Sequence, residues 1–302
     1  MDPVQGGVFH DFTQARGAGA LVQLPGLCAR YRPAAELLAF FNFTGPTGSF
    51  KDSLAEGMIR LAEQTGALAP GALITEASAG SFGAALALAG HRTGHPVVLC
   101  LPSTVPLLRQ QQLAGYGAKL ALCGPTQEEG EQRATAIAAA NNGYFMDQFA
   151  NDLNPEYHRR VTGPALLQAT GAKLDMVVAG VGTGGTISGV GEHIKAWTNG
   201  VQMVGIEPAE SGVLTGGFAG PHGLAGIGCG FVPENYNPYI VDKVLRVSTG
   251  HGKQTAHEAL LLDGLPLCPA AGAVLAGALS LAREAANAGK RIVAILGGSN
   301  QA

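Results

Sequence analysis

Charge is scarce in this chain. Only 14% of its 302 residues are Asp, Glu, Lys or Arg, and the net formal charge is −3. Binding to nucleic acid or to an anionic membrane draws on a basic surplus that is absent here, so neither partner is expected. Aromatic residues are also few, at 6%. The five cysteines, Cys28, Cys100, Cys123, Cys229 and Cys268, are odd in number and lack any C-x-x-C spacing. That pattern predicts buried reduced thiols and supports neither a zinc site nor a disulfide framework, so no metal is expected. No apolar run is long and unbroken enough for a spanning helix. Residues 1–7 show no basic region followed by an apolar core, so no secretory signal is visible and a cytoplasmic protein is expected.

What the chain has is apolar and small residues: 46% hydrophobic, with 45 glycines. The length suits one large or two modest domains, and this composition predicts a compact α/β protein with tight turns. Strand-length apolar runs fall at 72–75, 96–101, 119–122, 176–179, 201–206 and 291–296. Helical patterns fall between them, at 49–65, 81–92, 107–116, 128–141, 155–170, 186–197 and 271–288. The alternation predicts parallel sheets covered by helices on both faces. The Gly- and Pro-rich stretch 208–234 reads as a functional loop.

Two segments carry chemistry. Gly45-Pro46-Thr47-Gly48-Ser49-Phe50-Lys51-Asp52 places a lone lysine just inside a helix start, behind Ser and Thr caps. Most helix lysines are solvated charges, but a lysine in a partly desolvated pocket has a lowered pKa and serves as a nucleophile or base. Gly180-Val181-Gly182-Thr183-Gly184-Gly185-Thr186 reads as strand, glycine turn and helix start, which aims backbone N–H groups at a phosphate. The same loop satisfies the dinucleotide pattern G-x-G-x-x-G, and Glu207 follows where such proteins keep a ribose-binding acid. The mid-chain position and the hydroxyls of Thr183 and Thr186 favour a single phosphate. A Schiff-base lysine with a phosphate cradle points to pyridoxal 5′-phosphate, PLP.

Both segments resemble the fold-type II PLP enzymes, and more narrowly the cysteine synthase and cystathionine β-synthase family. Further matches follow in the family's order: Gln148-Phe149, Asn154-Pro155, Thr162-Gly163-Pro164, the string from Val204 to Ser211, Gly220-Pro221-His222, and Gly226-Ile-Gly-Cys-Gly-Phe-Val-Pro233. The resemblance implies two three-layer α/β domains with mostly parallel sheets, of the tryptophan synthase β-like kind. Residues 1–44 and 151–302 would form the larger, phosphate-binding domain, and 45–150 a smaller inserted one, with the cofactor in the cleft between. By the same resemblance Lys51 forms the Schiff base, Gly182, Thr183, Gly184, Gly185 and Thr186 hold the phosphate, and Ser81 faces the cofactor ring. Ser78, Ala79, Gly80, Ser81 and Gln148 would receive the carboxylate of an amino-acid substrate. The implied reaction is β-replacement on O-acetylserine or O-phosphoserine through an α-aminoacrylate, with a thiol, sulfide or amine as nucleophile, in a homodimer.

The chain departs from the family's pattern at several positions. Ser81 stands where the family has asparagine, and Phe82 replaces a small polar residue beside it. The usual Ser-Ser-Gly-Ala becomes Ala270-Ala271-Gly272-Ala273, which removes the hydroxyl that meets the pyridine nitrogen. Leu296-Gly297-Gly298-Ser299-Asn300 resembles the dehydratase ending, and Ser299 is the candidate substitute for that hydroxyl. A specialised substrate is therefore expected. Two other readings stay open: β-elimination or amino-acid dehydration, and a non-catalytic family member acting as a binding partner.

Overall fold

Two sheets organise the chain in the computed structural model, which describes residues 8–9, 19–41 and 45–298. In chain order the strands are β1 (Val8–Phe9), β2 (Ala20–Gln23), β3 (Glu36–Phe41), β4 (Ile74–Glu76), β5 (Val97–Pro102), β6 (Lys119–Cys123), β7 (Tyr144–Phe145), β8 (Met176–Gly180), β9 (Gln202–Pro208), β10 (Lys243–Val247) and β11 (Arg291–Leu296). The helices are α1 (Pro25–Tyr31), α2 (Lys51–Gln64), α3 (Ser81–Thr93), α4 (Leu107–Gly115), α5 (Gln127–Ala140), α6 (Leu153–Tyr157), α7 (Gly163–Thr170), α8 (Gly185–Trp197), α9 (Thr249–Asp263) and α10 (Pro269–Arg283). The contacts divide the chain into two units, Met1–Thr44 with His158–Ala302, and Gly45–Tyr157.

The Gly45–Tyr157 unit holds a four-stranded sheet in the order β6-β5-β4-β7, parallel throughout. Its core draws on α2, whose Leu54, Ala55, Met58, Ile59 and Ala62 are buried at helical spacing. They cluster with Ile74 of β4, Leu99 of β5, and Phe82 and Leu86 of α3. The edge strand β6 stays partly exposed along its length, as expected where one side lacks a neighbour.

The other unit holds a seven-stranded sheet in the order β1-β2-β3-β11-β8-β9-β10. The central strands β8 and β11 read as continuous apolar runs because both of their faces are covered. Alternate residues feed two cores: Leu37, Ala39 and Phe41 of β3 join one, and Leu38 and Phe40 the other. The sheet is mixed, since β2 pairs antiparallel with β3. The connection 24–35 carries the seven-residue α1.

The helix expected over 155–170 is interrupted. A π-helical turn at His158–Thr162 separates α6 from α7. Pro164 accounts for the restart, because proline lacks an N–H and its ring clashes with the carbonyl four residues earlier. The helix expected over 271–288 begins at Pro269, a residue suited to a first turn, and ends at Arg283. Among the described residues no helix is long and apolar enough to cross a membrane. No group of three or more His, Cys, Asp and Glu is placed to hold a metal ion among them either.

Candidate active site

Lys51 is the first residue of α2, and its surroundings follow from the string before it. The cap position is Phe50, in helical conformation with no side-chain cap. Ser49 partly supplies one, its Oγ accepting from the Lys51 N–H at 3.2 Å. Thr47 acts in the opposite sense to the expected cap: its N–H and Oγ1–H donate to Asp52 at 3.0 and 2.7 Å. The Asp52 carboxylate thereby sits in the first turn of α2, where the helix dipole favours negative charge. Nζ of Lys51 lies 4.9 Å from the ring centre of Phe50 and 5.9 Å from that of Phe82. Burial pulls the amine down to about 8, with the Glu76 carboxylate resisting. Such an amine is an unprotonated nucleophile or base in a useful fraction near neutral pH.

The loop from β4 to α3 carries the expected carboxylate donors. Ser78 Oγ accepts from the N–H groups of Gly80 and Gly83 at 3.3 and 3.2 Å, so the side chain shapes the loop, and neither contact uses its hydroxyl proton. Arg109 of α4 grips the other side, Nε donating to the Ala79 carbonyl at 2.8 Å and Nη2 to the Gly80 carbonyl at 2.9 Å. Across a trans peptide the N–H points opposite the carbonyl, and no cis bond occurs among the described residues. The N–H groups of Gly80 and Ser81 therefore face away from Arg109. The Gly80 N–H is held by Ser78 Oγ, and that of Ser81 opens α3, whose first-turn N–H groups suit an anion.

Gln148 is buried and donates its Nε2 hydrogen to Glu76 Oε1 at 3.0 Å. Its own backbone carbonyl accepts from Asn154 Nδ2 at 2.8 Å. Glu76 is 1% exposed, and its Oε2 has no hydrogen-bond partner among the described residues. Burial pushes this carboxyl up to about 8, opposed by its hydrogen bonds from Gln148. Lys51, Phe82, the 77–81 loop, Glu76 and Gln148 all belong to the Gly45–Tyr157 unit.

The glycine loop 180–184 ends β8 and opens α8. Val181 ties it to neighbouring backbone, its N–H donating to the Ile206 carbonyl and its carbonyl accepting from Gly228, both at 2.9 Å. Gly184 has φ +81°, and a Cβ there would lie 2.7 Å from the backbone of Tyr236. At Gly182 a Cβ would meet the Gly226 carbonyl at 2.2 Å. Only glycine fits either position, because the loop packs directly on the backbone of Gly226 and Tyr236. Thr183 and Thr186 are both buried. Behind Thr186, His158 of the π turn pairs Nε2 with Thr186 Oγ1 at 3.2 Å and Nδ1 with Thr162 Oγ1 at 2.8 Å. A glycine turn that opens a helix, with N–H donors in the helix's first turn, suits a phosphate group.

Glu207 decides against the dinucleotide reading. The acid that would bind a ribose is 1% exposed, accepts from the Leu214 N–H at 2.8 Å and from Thr215 Oγ1, and pairs with Arg246 at 3.6 Å. Ala270 and Ala271 are buried in the first turn of α10 and offer no hydroxyl. Ser299 lies outside the described residues. All five cysteines are free, but only Cys100 is fully buried; Cys28 in α1, Cys123 at the end of β6, Cys229 in a loop and Cys268 before α10 are half-buried.

Against known proteins, residues 13–298 match the family described as pyridoxal-phosphate dependent enzyme. A Staphylococcus aureus cysteine synthase is 36% identical over 87% of this chain and 86% of its own length. A cysteine synthase structure from Entamoeba histolytica superposes with a TM-score of 0.88 at 30% identity, covering 99% of this chain and 90% of that one. An O-ureido-L-serine synthase structure does so with 0.86 at 29% identity, covering 96% and 92%. The chain belongs to the pyridoxal-phosphate dependent enzymes, with the fold of the cysteine synthases.

The sequence reading did not single out three residues in these surroundings. Glu76 directly precedes the 77–81 loop in the chain. Arg109 and His158 lie on helices with no signature of their own, and only the folded chain brings them to the 77–81 loop and to Thr186.

Proposed function

We propose that this enzyme carries PLP on Lys51 and performs β-replacement on an activated serine, O-acetylserine or O-phosphoserine, with a thiol, sulfide or amine as nucleophile. The observation that carries the reading is the Lys51 amine, set beside two aromatic rings and brought down to about 8. When bound, PLP supplies the electron sink that lets a proton leave the α-carbon of an amino acid. The rest falls to the chain. Lys51 takes the α-proton and returns it after the nucleophile has added. Gly182, Thr183, Gly184, Gly185 and Thr186 anchor the phosphate. Ser78, Ala79, Gly80, Ser81 and Gln148 hold the substrate carboxylate, which fixes the α-carbon relative to Lys51.

Ordinary sulfide-dependent cysteine synthesis is not the reading favoured. Ser81 reaches less far than asparagine, Phe82 adds bulk near Lys51, and Ala270 and Ala271 lack the hydroxyl that the family uses. A relative named for O-ureido-L-serine supports product variety on this fold. A cytoplasmic location, and the homodimer that the resemblance implies, are part of the proposal, and sedimentation of the purified protein tests the pairing.

The experiment is a product assay of the PLP-loaded enzyme with each donor, against sulfide, small thiols and amines. A β-substituted alanine formed from one donor–nucleophile pair, faster than cysteine from sulfide, is the expected result. Keto acid and ammonia formed without any nucleophile would shift the assignment to β-elimination. Cysteine made faster than any other product would restore plain cysteine synthesis.

A further inference from the structure

Glu76 is an acid that the reaction above does not use, in a place where an acid is costly. It ends β4 with 1% exposure; Oε1 accepts from Gln148, and Oε2 has no partner among the described residues. An ionised carboxylate in that position would bury charge with one oxygen bare, and such groups neutralise instead. A proton on Glu76 removes the charge while Oε1 continues to accept from Gln148.

The charged and titratable neighbours divide. Burial, the largest influence, pushes Glu76 up to about 8, and Asp147, beyond β7, and Glu131, on α5, push the same way while the Gln148 hydrogen bonds oppose. On α2, Lys51 feels the Glu76 carboxylate, and its ammonium in turn favours the ionised acid; on β5 the Cys100 thiol feels that carboxylate too. Burial and the two acids together hold Glu76 toward the neutral form.

We propose that Glu76 is a positioning residue held as the neutral acid, which fixes the Gln148 amide and keeps charge away from behind it, so that Gln148 can meet the substrate's carboxylate. Its Oε1 takes one hydrogen of Gln148 Nε2, which sets the amide's rotation. Ionising Glu76 places a negative charge one amide away from an incoming carboxylate and strengthens its pull on Lys51. This proposal rests on the reading that Gln148 contacts the substrate.

Two measurements test it. The first uses the cofactor-free protein: an infrared difference spectrum at pH 7 should contain a protonated-carboxyl band that is missing in Glu76→Gln and fades in the wild type above pH 8. The second uses the PLP-loaded protein and L-alanine, an amino acid without a leaving group, titrated calorimetrically between pH 7 and 9.5. Wild-type affinity should fall about tenfold more across that range than the affinity of Glu76→Gln, whose side chain stays neutral; the substrate amine titrates equally in both. Glu76→Gln preserves volume and hydrogen bonding, and its thermal midpoint verifies folding. Absence of the band, or parallel pH curves for the two proteins, overturns the proposal. Wild type that shows the band but binds no L-alanine overturns the functional reading and takes the proposal with it, an outcome distinguished because the wild type itself then fails.

Discussion

The Phe82 ring lies 5.9 Å from Nζ of Lys51, in the Gly45–Tyr157 unit they share. Phe82 is also part of the core that α2 and α3 build, at 2% exposure. One side chain therefore seals the core and dries the amine. Two opposite effects meet there: a ring face attracts an ammonium, whereas burial disfavours it. Burial is the larger, since the amine is brought down to about 8.

Phe82→Thr should admit water and move the Lys51 amine back toward its ordinary 10.5. The readout is the pH dependence of PLP loading onto the cofactor-free protein, followed by the visible band of lysine-bound PLP. The half-loading pH should rise by about one unit or more, equivalent to roughly 1.4 kcal/mol per unit. Lys51→Ala should show no such band at any pH. A half-loading pH unchanged by Phe82→Thr would mean that Phe50 and the rest of the pocket set the amine alone.

Arg109 offers a second handle. Its guanidinium holds the carbonyls of Ala79 and Gly80, so the loop's N–H groups keep one direction. Arg109→Leu keeps much of the stem's packing and loses two charge-assisted hydrogen bonds to the loop, each worth about 1.5–3 kcal/mol, besides one to Gln112 on its own helix. Only part of that reaches the substrate. Donor binding should weaken about 10- to 100-fold while PLP loading stays within about twofold. Equal losses of donor and PLP would point to general unfolding of the Gly45–Tyr157 unit rather than to a loop that has lost its clamp.

Much of the fold was legible because its signals are local. The run at 291–296 became β11 with the same bounds, and the Ser81 helix start fell where a strand meets small residues. The strand β3 was missed: Glu-Leu-Leu-Ala-Phe-Phe is a continuous apolar run, and periodicity cannot separate a doubly covered strand from a buried helical turn. The helix α9 was missed because apolar residues fall all round it, although Ser248 caps it by accepting from the His251 N–H at 3.2 Å. In the candidate site, motif residues could be read from the string, but Arg109 and His158 could not. Their contacts span 28 or more residues in the chain and exist only once α4 and the π turn have packed.

The proposed phosphate loop makes a sharper prediction, because backbone geometry leaves no room for adjustment. Gly184→Val combines a Cβ 2.7 Å from Tyr236 backbone with a φ of +81° that β-branched residues avoid. PLP affinity should drop by two orders of magnitude or more in fluorescence titration. His158→Phe is milder: it removes the partner of Thr186 Oγ1 and should weaken PLP several-fold, with a change in the phosphorus resonance of bound cofactor. If Gly184→Val retained full affinity, the phosphate would have to sit elsewhere.

The two displaced acid–base groups near Lys51 should also mark stability itself, with opposite signs in adjoining pH windows. Glu76 holds its proton up to about 8 in the folded chain and loses it near 4.5 when unfolded. Between those values the folded state binds more protons, so its contribution is fully favourable below 4.5 and is lost as pH climbs to 8. The limiting slope is about 1.4 kcal/mol per pH unit. Lys51 works in reverse: its folded amine releases the proton near 8 against 10.5 unfolded, so its share of stability rises from pH 8 to 10.5. Urea unfolding of the cofactor-free protein at pH 5, 6.5, 8 and 9.5 separates them. Relative to wild type, Glu76→Gln should gain stability steadily from pH 5 to 8 and no further above that. Lys51→Met should gain most below pH 8, where the buried ammonium is removed, and lose that advantage as the wild-type amine becomes neutral in both states. A Glu76→Gln curve running parallel to wild type from pH 5 to 8 would mean that the folded chain carries Glu76 as an ion, and some other group would then have to neutralise it.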